Sequence, residues 1–310
     1  MAEQMKAIRF HDYGGSEKLI LEKIPRPAPK ANEVLIKVHA AGVNPIDWKL
    51  RAGFLKAFMP VQLPFVPGID VSGTIAELGS DVKAFTVGQA VFGIARGAYA
   101  EYAIALVGDV TAKPDGISFE QAATIPLGAL TAWQAVEDAG VAAGQTVVVQ
   151  GAAGGVGLFA VQLAHAKKAH VIGTASTANM GFVKSLGAEI SVDYTKGTLE
   201  ADIKDVDVVI DTVGGETLEK SYALLRAGGI LVTTAGRISE EAAKRHGVKA
   251  MGSNRGPTVH LKAIAERVAE IKLRTELGRV YTLADAGAAQ DLSETRHGRG
   301  RIVLRVRSGG

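Results

Sequence analysis

The chain has 310 residues, of which 47% are hydrophobic and 22% are charged, and its formal net charge is +3. This composition excludes a largely disordered chain and is sufficient for two domains with separate cores. Cysteine is absent, which excludes disulfides, thiol nucleophiles and cysteine-ligated metals and agrees with a reducing compartment. The sequence opens without a signal-peptide pattern, and no apolar run reaches about 18 residues. We therefore expect a soluble, cytoplasmic protein with no membrane partner.

The first part of the chain is predicted to be rich in β-strands. Alternating apolar residues bounded by Gly and Pro are typical of strands with one buried face. The predicted strands are residues 5–10, 33–40, 71–78 and 97–104. The run 41–49 is predicted to be a loop that enters a short helix.

From about residue 118 the pattern changes to an alternation of strands and helices. The predicted parallel strands are residues 147–150, 170–174, 189–192, 206–211 and 229–233. This order predicts a doubly wound parallel sheet, and the domain boundary is expected within 115–128. Helices at 258–272 and 283–294 and a strand from Ile302 are predicted to follow. That last strand needs a sheet to join, and the first domain offers the nearest one.

Arginines are concentrated near the end of the sequence. They are Arg296, Arg299, Arg301, Arg305 and Arg307. Because alternation from Ile302 predicts a strand, we expect its arginines to lie on the solvent face, where they favour solubility. No aromatic stacking platform accompanies them, so we do not expect a nucleic-acid partner.

A glycine-rich turn joins the first predicted parallel strand to a helix. Three consecutive valines from Val147 predict a buried strand, and the glycines of 151–157 allow the backbone to turn sharply. Free amides at the start of the helix could then bind a pyrophosphate, with Gly157 allowing close packing of helix and strand. Such a fingerprint alone also occurs in plain loops.

The end of the next strand bears on which dinucleotide is bound. An acidic residue about 20 residues past the glycines would bind the ribose hydroxyls of NAD. Ser176, Thr177 and Asn179 stand there instead, and Lys184 follows. Neutral donors tolerate a 2′-phosphate, so NADPH is favoured. Equally, Ser176 or Thr177 could simply cap a helix.

No metal site is expected from the sequence. A metal-dependent dehydrogenase needs Cys or His together with a carboxylate, whereas the seven histidines are scattered. No Ser/His/Asp arrangement is evident either. Hydride transfer without a metal is the remaining chemistry.

The whole chain resembles the zinc-independent medium-chain dehydrogenases/reductases of the quinone oxidoreductase type, the family that includes zeta-crystallin. The motifs that carry the resemblance are GVNPIDW at 42–48, VPGIDVSG at 66–73, GAYAEY at 97–102, LTAW at 130–133, QGAAGGVG at 150–157, LGA at 186–188 and VDY at 192–194. Where zinc-dependent relatives have Gly-His-Glu, this chain has Gly68, Ile69 and Asp70.

The resemblance implies an α/β protein with a GroES-like, β-rich substrate domain at 1–122 and 255–310. A Rossmann domain with its doubly wound parallel sheet is implied at 123–254, and it binds NADPH. The residues implied to contact the cofactor are Thr131, Gly154, Gly155, Val156, Ser176, Tyr194, Val213, Ala235, Gly236 and Arg296.

Two residues are implied to be catalytic. Asn44 corresponds to an active-site asparagine beside the nicotinamide and the substrate oxygen, although an Asn before Pro45 could also serve a turn. Lys49 stands where some relatives have an active-site tyrosine, so it could hold an enolate or phenolate oxygen, or be an exposed helix lysine. Asp47 is expected to be the N-cap of the short helix rather than an acid catalyst.

The function implied by the resemblance is NADPH-dependent, zinc-independent reduction of a quinone. An alternative on the same fold is a 2-alkenal or enone reductase, and one of another class is a noncatalytic NADPH-binding protein, crystallin-like or RNA-binding. The expected partners are a small-molecule quinone or enone and a second copy of the chain, since the family forms homodimers.

Overall fold

The fold is described from a computed structural model, which covers residues 3–197, 203–296 and 298–307. The chain divides into two compact units. The first unit comprises residues up to Leu127 together with those from Thr258 onward, and the second spans Gly128–Pro257. The limits drawn from the sequence, after residues 122 and 254, lie a few residues earlier in the chain.

The first unit is built on a mainly antiparallel sheet and a separate two-stranded ribbon. The strands of this unit are β1 Gln4–Arg9, β2 Ile20–Pro25, β3 Glu33–Val43, β4 Asp70–Leu78, β5 Ala90–Ile94, β6 Tyr102–Leu106, β7 Val110–Ala112, β14 Leu277–Thr282 and β15 Arg301–Arg305. The strand order of the sheet is β14-β15-β3-β4-β5-β7, and β6 also pairs with β3. The ribbon pairs β1 with β2.

Short helices complete this unit. They are α1 Pro45–Arg51, α2 Phe119–Ala123, α8 Leu261–Ala269 and α9 Ala286–Glu294, and α3 Pro126–Asp138 leads into the second unit. Alternate residues of β3, namely Val34, Ile36 and Val38, lie in the core, as the period of two predicted. The strand is not exposed on its other face, however, because Glu33 and Leu35 are buried too. The terminal strand β15 pairs antiparallel with β3, which confirms that the last strand joins the sheet of the first domain.

The second unit contains a fully parallel six-stranded sheet. Its elements are β8 Thr146–Gln150, α4 Gly157–Ala166, β9 His170–Ala175, α5 Met180–Ser185, β10 Ile190–Asp193, β11 Val206–Asp211, α6 Gly215–Ser221, β12 Leu225–Thr233, α7 Glu240–His246 and β13 Lys249–Gly252. The strand order is β10-β9-β8-β11-β12-β13. If the six strands are numbered 1 to 6 along the chain, with β8 as strand 1, their order across the sheet is 3-2-1-4-5-6. This is the doubly wound arrangement, in which the direction of the strand order reverses between β8 and β11. The predicted Rossmann sheet is therefore confirmed.

Several elements differ from the sequence prediction. The strand predicted at 97–104 starts only at Tyr102, because the N–H groups of Ala98 and Tyr99 donate to the carbonyls of Gly68 and Pro67 rather than to a ladder. The strands β2, β5, β7, β13 and β14 were not predicted. They have three to six residues, and such short segments are stabilised by pairing with partners from elsewhere in the chain.

Candidate active site

The glycine turn of the second unit leads from β8 directly into α4. Gly151 has a φ of +67°, which glycine adopts without steric cost. Its carbonyl accepts the N–H of Gly154 at 2.9 Å, and the carbonyl of Gly154 accepts that of Leu158 at 3.0 Å. The first N–H groups of a helix have no intrahelical acceptor and carry the positive end of its dipole. The N–H of Gly154 is used within the turn, so the backbone amides that can bind an anionic phosphate here are those of Gly155 and Val156, immediately before α4.

Gly157 is required by the close approach of α4 to this turn. A Cβ at Gly157 would lie 2.2 Å from the carbonyl oxygen of Gly151 and 2.9 Å from the Cα of Ala152. Both are backbone atoms, so a side chain could fit only by displacing the turn. The predicted role of Gly157 in close packing is confirmed.

Replacing Gly157 with alanine is expected to lower the free energy of unfolding by about 1–3 kcal/mol, because the added methyl group overpacks against backbone. Gly181 is a matched control, since it lies in α5 and a Cβ there would meet nothing within 4 Å. Gly181→Ala is expected to be neutral or stabilising by about 0.5–1 kcal/mol. Urea unfolding of both variants checks this, and equal effects at the two positions would contradict it.

The end of β9 carries hydroxyl groups instead of a carboxylate. Ser176 precedes a 3₁₀ turn, Thr177–Asn179, and caps it without a side-chain hydrogen bond to the backbone. Its Oγ instead accepts the Nδ2 amide of Asn179 at 3.0 Å. Ser176 thus stands at the N-cap position, as the capping alternative predicted, but its hydroxyl makes no capping hydrogen bond, and its proton is not used in the hydrogen bond with Asn179.

A carboxylate does lie next to this turn, at the end of the neighbouring strand. Asp193 of β10 pairs with Ala175 of β9. The hydroxyls of Thr177 and Thr195 donate to Asp193 at 2.5 and 2.6 Å. These hydrogen bonds favour the ionised form and hold the pKa of Asp193 below its ordinary value. Tyr194, the adjacent predicted cofactor residue, is exposed.

The other predicted cofactor residues of this unit lie beyond β11 and β12 or in α3. Val213 follows β11 and is 40% exposed. Ala235 and Gly236 follow β12. The hydroxyl of Thr212 donates to the carbonyl of Gln150 at 2.7 Å and so ties the first of these turns to β8. Thr131 lies in α3 and is mostly buried. Apart from Thr131, the predicted residues of the second unit thus gather at the carboxyl ends of parallel strands.

In the first unit, Asn44 belongs to a buried polar cluster. Its Nδ2 donates to Oδ2 of Asp70 at 3.0 Å, and its Oδ1 accepts from Nη2 of Arg301. The same Arg301 nitrogen lies 2.8 Å from Oδ2 of Asp70, while the N–H of Leu127 donates to Oδ1 of Asp70 at 2.9 Å. Asn44 and Asp70 are fully buried and Arg301 is 5% exposed. Each amide atom of Asn44 therefore already has a partner within the protein.

Arg301 corrects one prediction directly. The arginines of the last strand were expected on the solvent face, and Arg305 is indeed exposed, with an ion pair to Glu120. Arg301 is buried because Asp70 supplies a negative charge and hydrogen-bond acceptors for it. Phase along the strand did not reveal this, because Arg305 is in phase with the buried Val303 as well and yet is exposed.

The capping of α1 also differs from the prediction. Asn44 is the N-cap and Pro45 is the first helical residue. Asp47 lies at N3, where its Oδ2 accepts the N–H of Asn44 at 2.8 Å, so it is half of a capping box and not the cap itself. The hydroxyl of Tyr99 donates to the same oxygen at 3.0 Å. Burial nevertheless raises the pKa of Asp47 to about 7.

Lys49 lies in the last turn of α1. Partial burial, together with the charge of Arg296, lowers the pKa of its ammonium group below the usual value. Its Nζ lies 5.6 Å from the centre of the Trp48 ring. Arg296 is exposed and follows α9, with a φ of +58°. The structure thus brings Lys49 and Arg296 into one electropositive region of the first unit.

Within 3–197, 203–296 and 298–307, no three His, Asp or Glu side chains form a group that could hold a metal ion. Over the same ranges, every helix is too short or too polar to cross a bilayer.

Two family models match the chain. Residues 30–115 match the alcohol dehydrogenase GroES-like domain. Residues 186–304 match a family described as zinc-binding dehydrogenase.

Individual proteins match over longer stretches. The chain is 34% identical over 322 residues to a quinone oxidoreductase of Sus scrofa, covering 97% of each chain. It is 39% identical over 254 residues to 2-methylene-furan-3-one reductase of Solanum lycopersicum, covering 76% of this chain but only 63% of that protein. The solved structure of the quinone oxidoreductase from Coxiella burnetii superposes with a TM-score of 0.90 at 39% identity, covering 98% of this chain and 100% of that one. The chain therefore belongs to the quinone oxidoreductase family of the medium-chain dehydrogenases/reductases.

Proposed function

We propose that this protein is an NADPH-dependent, zinc-independent oxidoreductase that reduces quinones. The observation that carries the proposal is the glycine turn into α4, because it stands beside the point where the order of the parallel strands reverses. Ligands of doubly wound sheets bind at such points. The end-to-end similarity to quinone oxidoreductases supports the choice of acceptor.

The residues present fit a dinucleotide with a 2′-phosphate. The backbone amides of Gly155 and Val156 are offered to the pyrophosphate, with Gly154 completing the turn that presents them, and the end of β9 offers the hydroxyl of Ser176 where an acid would repel a phosphate. The ionised carboxylate of Asp193 at the end of β10 opposes a phosphate close to it, although two threonine hydroxyls donate to that carboxylate. We propose that the exposed Tyr194 beside it contacts the phosphate. We propose that Thr131, Val213, Ala235 and Gly236 contact the nicotinamide half, with Arg296 as a further cofactor ligand.

The proposed chemistry adds a hydride to the quinone ring and a proton to the oxygen that gains negative charge. When bound, reduced nicotinamide supplies the hydride from its C4. The ammonium group of Lys49 would hydrogen-bond that oxygen and, because its pKa is lowered, could give up a proton readily. We propose that Asn44 acts in this site by holding Asp70 and Arg301 in place, since both of its amide atoms already bind them.

Lys49→Met is expected to lower kcat/KM for a quinone by about 10–100-fold, because an oxygen-stabilising cation is removed. If the ammonium form is required, wild-type activity should fall as the pH rises through the lowered pKa of Lys49, below the usual lysine range. Lys49→Arg should move this alkaline limb to higher pH. Lys83, an exposed lysine of the same unit, is the control, and Lys83→Met should keep the wild-type profile. An unchanged pH profile in Lys49→Met would refute the role.

Turnover assays and binding measurements together test the function. NADPH oxidation is followed with 1,4-benzoquinone, 9,10-phenanthrenequinone and a panel of alkenals, and Kd values for NADPH and NADH are measured by calorimetry. Turnover of quinones with tighter binding of NADPH supports the proposal. Tight NADPH binding without turnover of any acceptor would instead indicate the noncatalytic class.

A second candidate is reduction of the C=C bond of an enone. It is favoured by the similarity to a 2-methylene-furan-3-one reductase. The same groups would serve, because the hydride then adds to the β-carbon and charge again develops on an oxygen. A higher kcat/KM for alkenals than for every quinone tested would establish this alternative.

We also propose a homodimer and a cytoplasmic location. The strand β13 ends the parallel sheet, and an edge strand is suited to pairing with a second copy. A cysteine-free composition agrees with a reducing compartment. Light scattering of the purified protein and fractionation of the source cells test the two statements.

A further inference from the structure

Two buried polar side chains of the second unit, Asp211 and Thr233, were not singled out by the sequence. Asp211 ends β11 and Thr233 ends β12, and these neighbours are paired in register. Asp211 is fully buried and Thr233 is 1% exposed. A carboxylate at this depth must be well provided with donors, so its hydrogen bonds indicate what it holds in place.

Asp211 organises the turn that follows its own strand. Its Oδ1 accepts the N–H groups of Val213 and Gly214 at 3.1 Å each, and its Oδ2 also accepts that of Gly214 at 3.1 Å. Hydrogen bonds from backbone N–H to an ionised carboxylate are stronger than neutral ones. The side chain therefore fixes the backbone on which Val213 is presented.

Thr233 connects this turn to the next one. Its hydroxyl donates to Oδ2 of Asp211 at 2.6 Å and accepts the N–H of Ala235 at 3.1 Å. The N–H of Thr234 also donates to the backbone carbonyl of Asp211 at 2.9 Å. The Thr233 hydroxyl thus links the Asp211 carboxylate to the turn containing Ala235 and Gly236 through two consecutive hydrogen bonds.

The two turns are also in direct backbone contact. Gly214 has a φ of +78°, and a Cβ there would lie 2.4 Å from the carbonyl oxygen of Ala235. Neither turn can shift by much without the other. The hydrogen bonds and this close approach join residues 213–214 and 235–236 into one unit at the carboxyl ends of β11 and β12.

We propose that Asp211 and Thr233 are positioning residues that fix the two strand-end turns for the nicotinamide half of the cofactor. This inference rests on the proposed function. The proposal does not place Asp211 or Thr233 in contact with the cofactor. Binding of the adenosine half, at the ends of β9 and β10, should not depend on the pair.

Thr233→Val tests the proposal most sharply. Valine keeps the shape of threonine but leaves the N–H of Ala235 and an oxygen of Asp211 without the hydroxyl, so the second turn is released. We expect the Kd for NADPH to rise at least about tenfold. Binding of 2′,5′-ADP, which contains only the adenosine half, should stay within about twofold of wild type. Thr233→Ser, which restores the hydroxyl, should recover NADPH binding.

Calorimetric titration of the full chain with both ligands provides the readout. Thr111→Val makes the same change on β7 of the first unit and should alter neither affinity. If Thr233→Val fails to fold, as shown by loss of 2′,5′-ADP binding and of circular dichroism, Asp211→Asn is titrated in its place with the same expectation. Unchanged NADPH affinity in the folded variant would overturn the inference alone, whereas wild-type protein that binds no NADPH would overturn the proposed function.

Discussion

Replacing Arg301 with methionine is expected to lower the free energy of unfolding by about 3–5 kcal/mol, the range for breaking a buried ion pair from one side. Methionine retains much of the length of arginine, so loss of volume contributes little. The main cost arises at Asp70, whose carboxylate is fully buried and loses the guanidinium that lies 2.8 Å from it. Asn44 loses the donor to its Oδ1 at the same time.

Arg305 is a matched control on the same strand. It lies four residues further on, and its ion pair with Glu120 at 2.7 Å involves a half-exposed side chain. Exposed pairs contribute about 0–1 kcal/mol, so Arg305→Met should be nearly neutral. Combining Arg301→Met with Asp70→Asn should recover part of the loss, because the uncompensated charge is then removed.

The measurement can be confined to the first unit. The chain has two tryptophans, and Trp48 lies in α1, beside the cluster, where it is 4% exposed. In a Trp133→Phe background, urea unfolding followed by fluorescence therefore reports on this unit. If Arg301→Met and Arg305→Met lowered the free energy of unfolding equally, the buried ion pair would contribute no more to stability than the exposed one.

The fold of the second unit could be predicted because its signals are local. A run of valines followed by glycines identifies β8 and the turn within one short stretch, and β9 and β11 repeat the strand–helix alternation. The edge strands β13 and β14 carry little such signal. Their burial is slight, so no strong apolar alternation marks them, and their formation depends on partners that the sequence alone does not place.

The polar cluster of the first unit could be predicted only in part. Asn44 was identified through its motif, but its partners were not. Arg301 and Asp70 are 231 residues apart in the sequence. An arginine in a strand is ordinarily predicted to face solvent, because burying its charge without a counter-charge costs much free energy. Only the folded sheet, which places β15 beside β3 and β3 beside β4, brings the charge that makes its burial tolerable.

Asp47 gives the protein an expected pH dependence of stability. Its pKa is raised from 3.8 to about 7, first by burial and then by the nearby Asp70. Between these values the folded state holds a proton that the unfolded state has released, so stability falls as the pH rises. The contribution is complete below about pH 4 and is lost as the pH passes about 7. Between about pH 5 and about pH 8 the loss amounts to about 2–3 kcal/mol.

Asp47→Asn should remove this dependence while keeping the geometry. Asparagine can still accept from the N–H of Asn44 and the hydroxyl of Tyr99 through Oδ1, and its amide then takes the place of the unpartnered carboxylate oxygen. The difference in unfolding free energy between about pH 5 and about pH 8 should shrink by about 2–3 kcal/mol relative to wild type. Asp12→Asn, at an exposed position of the same unit, should leave it unchanged.

The two predictions are coupled through charge. Arg301 lowers the pKa of Asp47, although less than burial raises it. Removing the guanidinium should therefore raise the pKa of Asp47 further, so that Arg301→Met loses stability over a pH range extending above that of wild type. The same urea titrations, repeated from about pH 5 to about pH 9, measure this shift. If the loss in Arg301→Met were identical at every pH, the two carboxylates and the arginine would not form one electrostatic unit.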